Sequence, residues 1–123
     1  MAFTSAFTGA QMDAAFAGAR LNSQTGTSYT LVLADVNTAV TMDNAAANAL
    51  TIPTNASVAF PLGTVVPAIQ LGAGVTTVQG AVGVTINGVS AGSAALTAQY
   101  SAVSLLKVAA DIWTIAGDHG AVA

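Results

Sequence analysis

From Asn44 to Leu106 the chain carries no aspartate, glutamate, lysine, arginine or histidine. Few structures tolerate so long a silence. A membrane-spanning helix needs about 20 predominantly apolar residues in succession, and here Asn, Thr, Gln, Gly or Pro breaks the run every few residues. Those are strand and turn residues, so the stretch reads as short β-strands, not as a span. Strands of a soluble monomer normally show charged or strongly polar side chains outward, and edge strands are guarded by lysine or other charges. Here the outward positions have only Thr, Ser, Gln, Asn and Ala to offer. Two readings follow: a monomer with a neutral, hydroxyl-rich coat, or faces covered by other subunits. The second is the more economical, given how common symmetric oligomers are.

At 123 residues the chain has the length of one domain. Charged residues make up 6%, against about a quarter in ordinary soluble domains. The apolar 54% is largely Ala and Val, which suit close backbone approach better than a thick oily core. Arg20 and Lys107 are the only basic residues, so the cation cluster that nucleic acid demands is missing. Attraction to an anionic membrane fails for the same reason. The N-terminus lacks the basic segment of an export signal, and Asp13 interrupts its apolar run. Synthesis in a cytoplasm is therefore expected. Without cysteine there is neither a disulfide nor a thiolate metal site.

Residues 7–21, FTGAQMDAAFAGARL, spell a helix start. Thr8 and Gln11 have capping-box spacing, and Phe7 and Met12 have the spacing of a hydrophobic staple. Asp13 lies early and Arg20 late, as the helix dipole favours. Met12, Phe16 and Ala19 share one stripe. A helix of about three turns is marginal alone, so it is expected to dock on its own domain or on a neighbour.

Strands are predicted at 29–33, 39–42, 49–52, 57–60, 64–71, 76–79, 83–86, 103–108 and 112–116, all rich in Val, Ile and Thr. Asn87-Gly88 signals a two-residue hairpin. Pro53 and Pro61 fall at strand ends, and Pro67 implies an edge strand or a bulge. The expected fold is all-β: a compact antiparallel sandwich or jelly-roll-like domain over residues 26–123, with an arm and short helix at 1–25. Other sandwiches and an intertwined trimeric β fold stay open. No strict repeat is visible, which argues against a solenoid.

Catalytic chemistry finds little footing. His119 stands near the C-terminus beside Asp118, and adjacent strand residues face opposite ways, so a solvated terminal residue is the better reading. There is no Glu, and Asp13, Asp35, Asp43, Asp111 and Asp118 form no spaced pair. Asp35 and Asp43 look like turn formers. Asp111 and Lys107 read as an exposed local pair of small worth. The glycines of GAGVTTVQGAVG lack a phosphate loop's lysine and following helix. Asn55-Ala56-Ser57 matches a glycosylation sequon, a common chance pattern. Trp113 and Tyr100 read as core or interface anchors. No catalytic, metal or cofactor residue is assigned, and an enzyme is not expected.

The opening YTL…AD, the core TIPTNASVAFPLGT, the turn QLGAGVTT, GVTIN and the closing W-x-I-x-GD together span residues 26–118. This combination resembles a β-rich module of tailed-bacteriophage virion proteins, found in tail-fibre and head-associated proteins. FTGAQMDAAF looks like the short helix leading into such modules. The resemblance implies a structural virion protein, a homotrimer made in the host bacterial cytoplasm, with no nucleic-acid or membrane partner. About 25 residues precede the β domain, enough for an arm but short for an anchor and shaft. The expected role is therefore capsid decoration: a cement protein bound to the major capsid protein, with Phe3, Phe7, Met12 and Phe16 as partner contacts. The alternative is a tail- or head-fibre tip that binds a host-surface receptor.

Overall fold

The structure, a computed structural model, describes residues 20–123. Most of the helix predicted at 7–21, with its capping box and staple, lies outside the described residues. Arg20 and Leu21, expected at its end, instead open a strand. The strands are β1 (Arg20–Gln24), β2 (Ser28–Thr30), β3 (Thr38–Met42), β4 (Asn48–Ile52), β5 (Val65–Gln70), β6 (Thr76–Gly80), β7 (Thr85–Ile86), β8 (Val89–Ser90), β9 (Ser93–Ala95), β10 (Ala102–Ala109) and β11 (Ile112–Gly117), with a single 3-10 turn at Leu33–Asp35. The described residues are all-β. Among the described residues, no helix is long and apolar enough to cross a membrane.

Two sheets pack face to face. One runs β1-β3-β5-β10-β11-β7-β8 and the other β2-β4-β6-β9. Successive strands from β1 to β6 alternate between the sheets. Within each sheet they lie parallel: β1 with β3, β3 with β5, β2 with β4 and β4 with β6. The first half of the domain is thus wound as a flattened coil, and each turn adds one strand to each sheet. From β5 the pattern changes, because β10 pairs antiparallel with both β5 and β11. The expectation of an antiparallel, jelly-roll-like sandwich is corrected to a mixed one. Parallel neighbours usually need a long crossover, and here the crossover is the strand in the opposite sheet.

The coil leaves no sequence repeat because its turns differ in length. Paired residues stand 18 apart between β1 and β3 (Asn22↔Val40) and 28 apart between β3 and β5 (Val40↔Ala68). The corners at one end nevertheless stack in register. Asn44 Nδ2 donates to the Thr25 carbonyl at 2.9 Å, and Gly74 N donates to the Asn44 carbonyl at 2.9 Å. A Cβ on Gly72 or Gly74 would collide with the backbone of Asn44 or Ala46, so the third corner lies against the second only because those positions are glycine. Asn48, 4% exposed, bridges the same corners. Its Oδ1 accepts from Thr76 Oγ1 at 2.6 Å, and its Nδ2 donates to the carbonyls of Ala46 (3.0 Å) and Gly74 (3.4 Å).

Between the sheets lie Val40, Met42, Leu50, Ile52, Val66, Val78, Leu105, Trp113 and Ile115. Phe60 and Trp113 meet edge to face at 5.7 Å. Residues 57–60, expected as a strand, instead follow a turn over 55–57 as irregular chain. Ser57 N and Val58 N both bond the Thr54 carbonyl, and Thr54 Oγ1 bonds Ser57. Local hydroxyl bonds of this kind compete with a ladder, and the turn carries Phe60 into the core. The strand expected at 29–33 stops early because Asp35 Oδ2 accepts from Val32 N at 2.9 Å and nucleates the 3-10 turn.

Pro67 is not on an edge: β5 lies between β3 and β10. Gln70 N donates toward β10, to the Ser101 carbonyl, so by the two-residue period position 67 turns its nitrogen toward β3. The ladder to β3 begins only at Val40↔Ala68, and the missing N–H falls where pairing has not yet started. Asn87-Gly88 forms the hairpin its sequence announces, joining Ile86↔Val89 with φ of 47° and 83°. The C-terminal tail is tied down: Ala123 and Ser93 exchange two backbone hydrogen bonds, and Gly120 N donates to the Ala95 carbonyl. That covers the outer edge of β9.

Candidate interaction surface

Three of the few ionisable side chains are spent inside the fold. Asp35, 3% exposed, accepts Asn22 Nδ2 on Oδ1 at 2.8 Å, and Tyr29 Oη at 2.6 Å and Val32 N at 2.9 Å on Oδ2. Gln24 Nε2 extends the network to Asn22 Oδ1 at 2.7 Å. The cluster binds β1 and β2 to the 3-10 turn. Burial, then the hydrogen bond and negative charge of Asp35, push the Tyr29 phenol up to about 12. With both carboxylate oxygens occupied, Asp35 holds β1, β2 and the 3-10 turn together.

Lys107 and Asp111, expected as an exposed pair, are joined instead through a third residue. Lys107 is 2% exposed, and its Nζ donates to Asn55 Oδ1 at 2.6 Å and to the Phe60 carbonyl at 2.7 Å. Asp111 Oδ1 accepts from the Asn55 backbone N at 2.6 Å. The signal was present in the sequence: in VSLLKV, Val103, Leu105 and Lys107 alternate onto one face, and that face is the core.

With those charges turned inward, the two outer faces of the sandwich are neutral but chemically different. On the β2-β4-β6-β9 sheet, Thr30, Thr51, Gln79 and Ser93 stand in one row, and Ser28, Ala49, Thr77 and Ala95 in the next. Gln79 Nε2 donates to Thr51 Oγ1 at 3.0 Å. This face is clad in hydroxyls and amides that water can solvate.

The outer face of the larger sheet is richer in aliphatic side chains, interspersed with Ser23, Ser104, Thr114 and the buried Thr41. Val65, Leu106 and Thr114 form one row; Pro67, Ser104 and Ala116 the next; Ser23, Thr41, Ile69 and Ala102 a third. Leu21 flanks them on β1, and Val108 and Ile112 extend the patch along β10 and β11. Leu21, Val65, Leu106, Val108 and Ile112 are 37–64% exposed. No charged side chain stands in these rows. An exposed aliphatic surface continuous over several strands is the usual mark of a protein contact.

Phe3, Phe7, Met12 and Phe16, the partner contacts predicted from sequence, lie outside the described residues. Trp113 is a core residue at 1% exposure, whereas Tyr100 is 71% exposed on a left-handed backbone with φ of 70°. His119 is half-buried, bridged to Leu96, with its Nδ1 2.6 Å from the Gly120 carbonyl. Two shallow depressions flank β2. One, of about 430 Å³, is lined by Thr30, Leu31, Val32, Pro53 and Val58 among others, with no ionisable side chain; the other, of about 390 Å³, lies over the Asp35 network. Among the described residues, no three His, Asp or Glu side chains gather to hold a metal ion.

Neither protein-family models nor curated proteins give a match to this chain. Fold and surface together define an all-β sandwich, wound in part as a coil, with one hydroxylated and one aliphatic outer face.

Proposed function

We propose that the protein is a structural component of a bacteriophage virion, a homotrimeric decoration protein that binds the major capsid protein and stabilises the shell. The aliphatic side chains on the outer face of the larger sheet carry this reading: they lie opposite a face of mainly hydroxyl and amide side chains, and no charge stands in their rows. In such a particle the aliphatic face meets the neighbouring subunit or the capsid, and the hydroxylated face meets water. Phe3, Phe7, Met12 and Phe16 add contacts from the N-terminal arm. Nothing catalytic is required. A protein that binds only the assembled lattice stabilises it by mass action, and about 800 Å² per partner suffices for a specific contact.

The test is the copy number of this chain relative to the major capsid protein in purified particles, measured by quantitative mass spectrometry. Hundreds of copies support decoration. A few dozen indicate a vertex, neck or fibre location and replace the decoration reading with receptor binding; absence from the particle refutes both. Leu106→Lys on the aliphatic face is expected to abolish trimers in sedimentation equilibrium and to abolish shell binding. Thr77→Lys on the hydroxylated face is expected to leave both intact, and equal effects would refute the assignment of the faces.

A further inference from the structure

The geometry at the Lys107–Asn55 contact points to an intramolecular amide bond between the two side chains. Lys107 lies in the core with its Nζ held between two neutral oxygens, Asn55 Oδ1 at 2.6 Å and the Phe60 carbonyl at 2.7 Å. A C=O bond is about 1.23 Å long, so the Asn55 contact leaves Nζ no more than about 3.8 Å from Cγ. Reaction distances for a held nucleophile are about 3–3.5 Å, so a small rotation of the carboxamide brings Nζ onto the carbon. Asn55 is fixed from the other side, where its backbone N–H donates to Asp111 Oδ1 at 2.6 Å. Trp113 is the cross-strand neighbour of Lys107, and its ring meets that of Phe60, whose carbonyl accepts from Nζ. Nucleophile and electrophile are therefore immobilised together, which removes the entropic part of the barrier.

The chemistry balances without any co-reactant. The Nζ–Cγ bond forms and the Cγ–Nδ2 bond breaks. Nζ begins as an ammonium with three protons and ends as an amide with one. The first proton passes along the existing Nζ–H···Oδ1 hydrogen bond, which polarises the carbonyl as it frees the lone pair. Both released protons finish on Nδ2, which departs as ammonium. Nothing is oxidised or reduced. The product ties the turn after β4 to β10 across 52 residues of chain, giving a covalent staple to a protein that has no cysteine.

The experiment is the intact mass of the purified full-length chain under denaturing conditions, followed by peptide mapping. The expected mass is lower than that of the sequence by one ammonia, with the peptides bearing Asn55 and Lys107 recovered as one linked species. Lys107→Arg and Asn55→Ala should each restore the full sequence mass. A wild-type protein that keeps its full mass after prolonged incubation overturns the proposal. So does a loss of ammonia that persists in Lys107→Arg, since it would then come from ring closure of Asn55 on its own backbone.

Discussion

Asn48 is where the winding of the coil can be tested energetically. Truncation by Asn48→Ala removes three hydrogen bonds in one step: those to the Ala46 and Gly74 carbonyls and the one accepted from Thr76. The Thr76 residue is fully buried, so its hydroxyl loses its acceptor with no water to replace it. A typical hydrogen bond contributes about 1 kcal/mol net, and an orphaned buried polar group costs about 1–3 kcal/mol. With the long Gly74 contact discounted, the loss should be about 3 kcal/mol. Thr76→Val strands Asn48 Oδ1 in turn and should cost about 2 kcal/mol on the same reasoning.

The pair distinguishes a specific bridge from general packing. In the double variant neither partner of the 2.6 Å bond is orphaned, so its loss should fall short of the sum of the singles by about 1–2 kcal/mol. Urea unfolding at one fixed protein concentration gives all four free energies, and fixing the concentration removes any contribution from association. Additive losses, or an Asn48→Ala loss below about 0.5 kcal/mol, would refute the view that this asparagine holds the corners in register.

Two further outcomes follow from other parts of the fold. Gly74→Ala drives a Cβ into the Ala46 backbone, and overpacking against backbone predicts a loss of about 3 kcal/mol, read in the same urea assay; an unchanged midpoint would show that the corners do not touch. Tyr29 titrates near 12 in the folded state and near 10 unfolded. The unfolded chain therefore loses its proton first, and the stability Tyr29 contributes is complete below about pH 10 and drains away toward pH 12. Tyr29→Phe should remove that alkaline phase from a pH series of unfolding curves, and its survival would place the cause elsewhere.

What the sequence revealed, it revealed through short-range pattern. AVTM, ALTI, TTVQ and IWTIA each lie within the strand expected of them, because Val, Ile and Thr in alternation suit a pleated, half-buried surface. Asn87-Gly88 closed its hairpin because few other dipeptides place two successive residues at positive φ. The coil escaped notice because the segment Pro53–Thr64 swells one turn and erases the period. Arg20 and Leu21 continue the preceding helical pattern in sequence, yet with Asn22–Gln24 they form β1. Nothing within those five residues reveals the register with β3 that makes them a strand. The inward Lys107 is different: its charge points to solvent, but the alternation of VSLLKV places it with Val103 and Leu105 on the core face.

The absence of charge from residues 44–106 has two separate causes, and only one of them bears on function. In a parallel coil each outer row stacks strand upon strand about 4.8 Å apart, and like charges repeated along a row repel. Thr30, Thr51 and Gln79 form such a row, extended by Ser93 on the antiparallel β9, and keep to neutral groups, with Gln79 bonded to Thr51. Winding alone accounts for that face, and it needs no partner. Winding does not account for the other. Val65, Leu106, Val108 and Ile112 lie on or beside antiparallel pairings that follow the coil, where a lysine or aspartate could alternate with an opposite charge at no such cost. Aliphatic side chains stand there instead, exposed, at positions where the fold does not require them. The case for a covering partner therefore rests on those four residues and their neighbours, not on the missing charges. Substituting them singly with lysine should leave the unfolding free energy within about 0.5 kcal/mol of wild type when measured on the dissociated chain, while association is lost. Unfolding of that chain by such a substitution would mean that the aliphatic surface serves the fold itself.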